Sequence, residues 1–270
     1  MEEKKVNNIK VNPPPLDVLI SGMLNKTSGG MFEDSYPNVF IIGRKESGKT
    51  NIILNILDKL CGDKTIIIVF CKTVDVSDMW KHIQTKYGKG GLNRLVKHTS
   101  IVETDPTTKK KINNLDALMS HLKKKKRTEE DTDYIVVFDD ISGELRGGSV
   151  GEFIKQNRHY KATTVVSSQG ALDMKPDAIA NVNHCIMLEG IPDTSIDHLK
   201  QKFGLLTDVK DLQKMYKTAT EKQYDFLNVD VGREKFRKNF DTEITPEHKY
   251  IRIKDNNNNN ADSDSSSDSD

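Results

Sequence analysis

A short apolar run, NVFII at Asn38–Ile42, leads directly into GRKESGKT at Gly43–Thr50. No other feature of the chain restricts its fold as strongly. The spacing Gly-x-x-x-x-Gly-Lys-Thr demands a buried strand, a tight loop and a helix, in that order. Gly43 and Gly48 let the backbone wrap, and Arg44, Lys45, Glu46 and Ser47 supply the N–H groups of an anion nest between them. The predicted helix, Lys49–Leu60, has Ile52, Ile53, Ile56, Leu57 and Leu60 on one face and aims its positive end at the loop. Lys49 offers a flexible cation to the β- and γ-phosphate oxygens, and the Thr50 hydroxyl is a candidate ligand for Mg²⁺. The expected occupant is a magnesium nucleoside triphosphate, with ATP the first candidate.

The pattern after the loop alternates. Apolar runs at Thr65–Phe70, Tyr134–Phe138, Ala162–Ser168 and His184–Leu188 read as buried strands, and Tyr224–Val229 as a terminal one. A weaker strand is expected within Leu95–Val102. Helical periodicity is expected over 75–87, which holds the single Trp80, and over 115–126, 150–157, 194–203 and 208–219. Repeated strand–helix units imply an α/β fold: a P-loop NTPase three-layer sandwich around a mainly parallel, RecA-like sheet.

The run DYIVVFDD (Asp133–Asp140) is a strand that ends in two carboxylates. In P-loop proteins the first acid at such a strand end serves Mg²⁺, so Asp139 joins Thr50 as the expected metal side. Asp140 is expected to orient or deprotonate the attacking water; the alternative is that it caps the following turn. Gln169, at the end of ATTVVSSQ, is placed to sense the γ-phosphate, and Ser168 is a second candidate. The catalytic set is thus Lys49, Asp140 and Gln169.

The order of phosphate loop, FDD strand, Asn157-Arg158-His159 and VVSSQ strand resembles the FtsK–HerA superfamily of DNA-pumping ATPases. More narrowly, it resembles the genome-packaging ATPases of poxviruses, giant DNA viruses and virophages. The resemblance spans roughly Pro37 to Leu188. It implies a homo-oligomeric ring that hydrolyses ATP and drives double-stranded DNA into a preformed capsid, in the host cytoplasm or viral factory and then in the virion. It also implies capsid or virion components as partners. In such rings an arginine reaches the neighbouring subunit's nucleotide; Arg158 is the matching position, and Arg146 the fallback. The family often has Ile-Arg-x-Asn before its last core strand, whereas this chain has Ile179-Ala180-Asn181-Val182.

Composition narrows the remaining choices. Hydrophobic residues are 35% and charged residues 30% of the chain, so polar ends dilute an ordinary core. The last sixteen residues, Asp255–Asp270, carry five Asp and no Lys or Arg; without them the formal charge rises from +1 to about +6. Residues 1–36, which include Pro13-Pro14-Pro15 and a short helical pattern at Leu16–Leu24, read as an extension. Residues 37–254 read as the ATPase domain, and 255–270 as a disordered acidic tail. Cys61, Cys71 and Cys185 lie apart, which argues against zinc and for buried reduced thiols. No secretory signal is expected at the N-terminus, and no stretch nears the ~20 apolar residues of a membrane span. Lys109-Lys110-Lys111 and Lys123–Arg127 are candidate DNA-phosphate contacts; they read equally well as solvated charges balanced by Glu129-Glu130-Asp131. A GTPase would need Asn-Lys-x-Asp after the loop, and an ABC ATPase its signature before the acidic strand; neither is present. Two alternatives remain open at this level: a small-molecule kinase, and a nucleotide-binding assembly or scaffold protein that hydrolyses little.

Overall fold

The computed structural model describes residues 31–88, 94–124 and 132–247. The Leu16–Leu24 pattern, the acidic tail and residues 125–127 of the second basic run lie outside the described residues.

Nine strands form one sheet. Their ranges are β1 Asn38–Ile42, β2 Ile66–Cys71, β3 Leu95–His98, β6 Tyr134–Asp139, β7 Ala162–Ser168, β8 His184–Leu188, β9 Phe226–Asp230, β10 Lys235–Lys238 and β11 Thr242–Ile244. The spatial order is β11-β10-β9-β8-β1-β7-β6-β2-β3. From β8 to β3 every pairing is parallel, and β9, β10 and β11 add an antiparallel extension. β7 therefore lies between the strand that opens the phosphate loop and the strand that ends in two acids. A separate hairpin pairs β4 (Val102–Thr104) with β5 (Lys111–Asn113).

The core strands β1, β6, β7 and β8 are buried along their whole length, as the mainly apolar runs of β1, β6 and β8 require. Alternate residues serve opposite layers. Val39 and Ile41 of β1, with Val69 and Val137, meet α1 (Lys49–Leu60) and Trp80 of α2 (Asp78–Gly88). Phe40 and Ile42, with Phe70 and Phe138, meet the other face. That face is covered by α3 (Asn114–Lys124), α4 (Gly148–Gln156), α6 (Asp193–Phe203) and α7 (Val209–Ala219), while the short α5 (Pro176–Ile179) packs beside α4. Phe70 and Phe138 are register partners, and their rings stack at 5.2 Å. Truncating either to Ala removes about 3–5 kcal/mol.

Several elements differ in detail from the sequence pattern. The expected strand over 95–102 splits. Glu144 accepts from the Ile101 amide and the Ser100 hydroxyl, both at 2.8 Å, which turns the chain out of the sheet after β3. The second helix begins at Asp78 because 73–77 form turns. The helix expected over 150–157 starts at Gly148 and passes into a 3₁₀ turn at Asn157–Tyr160. Lys109–Lys111 sit on the β4–β5 hairpin, exposed, with the turn closed by Asp105 and Lys110.

Met31 and Phe32 are buried against the same layer as α1. Asp34 lies 3.4 Å from His184 and accepts two 3.1 Å hydrogen bonds from Arg233, which also binds Asp230 at 3.0 Å. This cluster fastens residues 31–36 to β8 and β9 at the edge of the sheet where β8 begins. The Arg233 guanidinium supplies the cation there. Cys61, Cys71 and Cys185 are free thiols; the last two are buried. Among the described residues, no helix is long and apolar enough to cross a membrane.

Candidate nucleotide site

β1 delivers the loop to the C-terminal edge of the parallel sheet. There the Gly43 N–H donates to the Ser168 carbonyl at 3.2 Å, which ties the loop's start to the end of β7. A Cβ on Gly43 would stand 2.5 Å from Ser47 Oγ and 2.8 Å from Leu188 Cβ, so only glycine fits. Glu46 (φ 65) and Gly48 (φ 99) are both left-handed, which reverses the backbone just ahead of α1. No side chain caps α1, and its first turn holds no acid. The helix therefore leaves its N–H groups and positive dipole end to an anion.

Lys49 arches back over the loop. Its Nζ donates to the carbonyls of Gly43 at 2.8 Å and Arg44 at 2.6 Å. Half-burial lowers its pKa, opposed by the nearby charges of Asp139 and Asp140. Those charges favour the ammonium form that a phosphate needs.

Asp139, at the end of β6, is buried and fully engaged. Its Oδ2 accepts from Thr50 Oγ1 at 3.2 Å and from Trp80 Nε1 at 2.9 Å; its Oδ1 accepts from the Ser167 hydroxyl. The predicted metal pair, Thr50 and Asp139, is thus in contact across 89 residues of sequence. The next residue, Asp140, is exposed and left-handed at φ 51. A non-glycine residue held in that region at a strand end is a frequent mark of a functional site. Gln169 is exposed just past β7, one residue beyond the Ser168 carbonyl that holds Gly43. Ser168 itself is buried and bonded to Asp173 and Gly170, so its hydroxyl closes a local turn instead of facing the loop.

The two arginines part company. Arg158 lies exposed in the 3₁₀ turn before β7, next to Asn157, which bonds Tyr36 and Ala162 at the N-terminal edge of the sheet. That is the edge opposite Gly43–Thr50. Arg146 follows β6 and donates to the Leu172 carbonyl at 2.7 Å, beyond the end of β7, so it stands on the nucleotide edge.

Two partners of Asp139 carry no signal specific to the site. Trp80 is placed by helical periodicity as a core residue, and its indole N–H has no sequence signature. Ser167 is one of four hydroxyl residues in ATTVVSS; only its inward register brings it to Asp139.

The chain matches known proteins at the level of family and fold. Residues 30–230 match the family model described as Poxvirus A32 protein. No curated protein sequence matches significantly. The fold is similar to that of the genome packaging NTPase B204 from Sulfolobus turreted icosahedral virus 2 in complex with AMP. The TM-score is 0.52 at 17% identity, covering 76% of this chain and 97% of that one. The same protein in complex with ATP-gammaS gives 0.50 at 18% identity, over the same shares. B204, the DNA-packaging ATPase from Sulfolobus Turreted Icosahedral Virus, gives 0.52 at 19%, covering 79% and 100%. At these identities the likeness is one of fold. The family match spans most of the chain and includes the loop, the acidic pair and the VVSSQ strand: the chain, whose motifs resemble the packaging branch of the FtsK–HerA ATPases, belongs to the poxvirus A32 protein family.

Proposed function

We infer that the protein is a viral genome-packaging ATPase that hydrolyses ATP at Gly43–Thr50 and uses the energy to move double-stranded DNA. The observation that carries this reading is the Thr50–Asp139 contact at 3.2 Å, made across an intervening strand beside a phosphate loop. A hydroxyl and a carboxylate at that distance are hard oxygen donors, and they fit Mg²⁺. When bound, Mg²⁺ neutralises charge on the β- and γ-phosphates.

The chain's own residues do the rest. The loop N–H groups and the α1 dipole hold the phosphates, and Lys49 turns from the loop carbonyls toward the γ-phosphate. Trp80 and Ser167 fix the Asp139 carboxylate. Asp140, released from the strand by its left-handed turn, orients the attacking water or takes its proton. Gln169 hydrogen-bonds the γ-phosphate or that water without adding charge. Arg146 is on the edge from which a side chain can reach a neighbouring subunit's nucleotide, and we favour it over Arg158 for the in-trans role. Ring assembly, capsid or virion components as partners, and residence in the viral factory and virion complete the proposal. The exposed Lys109–Lys111 hairpin and Lys123–Lys124 offer sequence-blind contacts to DNA phosphates.

The kinase alternative needs arginines over the nucleotide. Among the described residues after Asp140, Arg146 alone of the arginines stands on the nucleotide edge; Arg158 is at the opposite edge, and Arg233 and Arg237 are drawn to Glu33 and its neighbours. Phosphate release from ATP tests the proposal. Lys49→Ala should abolish it at unchanged melting temperature, and Asp140→Asn should bind ATP yet turn over at least ~100-fold more slowly. Full activity in Lys49→Ala would contradict the site.

A further inference from the structure

Beside the phosphate loop a cavity of about 180 Å³ opens, lined by Arg44, Glu189, Gly190, Gln223 and Tyr224 among others. Two turns from distant parts of the chain wall it. The first follows β8: Tyr216 Oη donates to the Leu188 carbonyl at 2.8 Å and accepts from the Ile191 amide at 2.9 Å, which fixes Glu189-Gly190 between them. Gly190 is left-handed (φ 88), and a Cβ there would stand 2.4 Å from Arg44 Cδ. The Arg44 side chain therefore lies directly against the glycine backbone.

The second turn precedes β9. The Asp225 amide donates to the Lys222 carbonyl at 3.0 Å and leaves Gln223 and Tyr224 at the turn's tip. Asp225 is braced in turn by Lys238 at 3.0 Å and Asn239 at 3.0 Å, both from the antiparallel extension. Tyr224 is 53% exposed and left-handed at φ 69, an unfavourable backbone state for a bulky residue. Its ring reaches to 3.0 Å of the position a Cβ on Gly48 would occupy, over the start of α1. An aromatic ring is thus held out in water, in a strained conformation, against the loop that grips phosphates.

We propose that this cavity is the nucleobase subsite, with the base stacked on Tyr224 and flanked by Arg44. The inference rests on the reading of Gly43–Thr50 as a nucleoside-triphosphate site and adds where the base goes. Aromatic and guanidinium faces contact any base, whatever its edge groups. The subsite therefore adds affinity for nucleotides in general more than it chooses among them. It also gives the β9–β10 extension a role, since that extension carries the Tyr224 turn.

Titration calorimetry with Mg²⁺ and three probes tests this: ADP, GDP and inorganic tripolyphosphate. Tyr224→Ala should weaken ADP and GDP alike, by about 10–100-fold from the lost stacking, and leave tripolyphosphate unchanged. Tyr224→Phe should restore wild-type affinity. Loss of ADP binding below twofold would overturn the subsite, as would equal weakening of ADP and tripolyphosphate, which would mark a distorted loop. Failure of the parent reading looks different: the wild type would bind none of the three probes, or Lys49→Ala would bind them all normally.

Discussion

Trp80 Nε1 donates a 2.9 Å hydrogen bond to Asp139 Oδ2, the same carboxylate oxygen that accepts from Thr50. A fully buried indole on α2 therefore sets the orientation of the acid at the end of β6. Such outer partners matter because a carboxylate that can rotate presents its lone pairs to a metal only part of the time.

The first prediction follows directly. Trp80→Phe keeps the ring and removes the donor. It should raise the Mg²⁺ concentration for half-maximal ATPase activity by about 10–100-fold, with a smaller change in melting temperature than core truncation gives. The chain has one Trp, so its emission reports this site alone. Mg²⁺·ATP should shift that emission in the wild type, and Asp139→Asn should remove the response. An unchanged Mg²⁺ dependence in Trp80→Phe would show that Thr50 and Ser167 hold Asp139 unaided.

A second prediction separates the two arginines. Arg146→Ala should cost about 10³-fold or more in hydrolysis by the assembled protein, in the range of arginine fingers elsewhere, and Arg158→Ala should cost little. Mixing Arg146→Ala with Lys49→Ala subunits should return partial activity, because some interfaces then pair an intact loop with an intact arginine. The reverse pattern, with Arg158→Ala dead and rescued by mixing, would assign the role to the far edge of the sheet and require head-to-tail contact between opposite edges.

A third concerns stability. The adjacent His184 and the hydrogen-bonded Arg233 hold the Asp34 carboxyl well below its ordinary value of 3.8, against the opposing effect of burial. A depressed carboxyl pKa stabilises the fold above the unfolded-state value and loses that effect as pH falls toward the folded one. Asp34→Asn should therefore destabilise by about 1–3 kcal/mol at pH 7. In urea melts the gap to the wild type should persist at pH 5 and close only below about pH 4, where Asp34 becomes protonated in the unfolded chain. A gap that closes between pH 7 and pH 5 would assign the effect to another group.

Much of this architecture was legible from residue patterns. Short runs rich in apolar and β-branched residues marked the buried parallel strands, and GRKESGKT with the FDD strand pointed to the loop and to the acid that meets Thr50. The first strand of the antiparallel extension was expected at Tyr224–Val229 and forms as β9, but the other two were not legible: KFRK at β10 has one apolar residue, Phe236, and TEI at β11 has one, Ile244. β10 exists because β9 offers an edge to pair with, and β11 because β10 then offers the next, a tertiary cause that local pattern does not encode. The Tyr224–Gly190–Arg44 cavity was hidden for a related reason. Its walls come from three segments that only the strand order β9-β8-β1 brings together. Arg158 was placed by chain order between two motifs, yet the strand after it runs the full depth of the sheet before Gln169, which leaves the two at opposite edges.

Phosphate release from ATP, with and without long double-stranded DNA, separates a DNA-driven motor from its alternatives. The assay uses the full chain at concentrations where it assembles. Duplex DNA of unrelated sequences should stimulate hydrolysis alike, and the stimulation should fall steeply with salt, because phosphate contacts carry the binding. Lys49→Ala should show no release under any condition. Hydrolysis indifferent to duplex DNA but raised by a small phosphoryl acceptor would rule out a motor and make the protein a kinase. Nucleotide binding with no turnover, with or without DNA, would make it a scaffold.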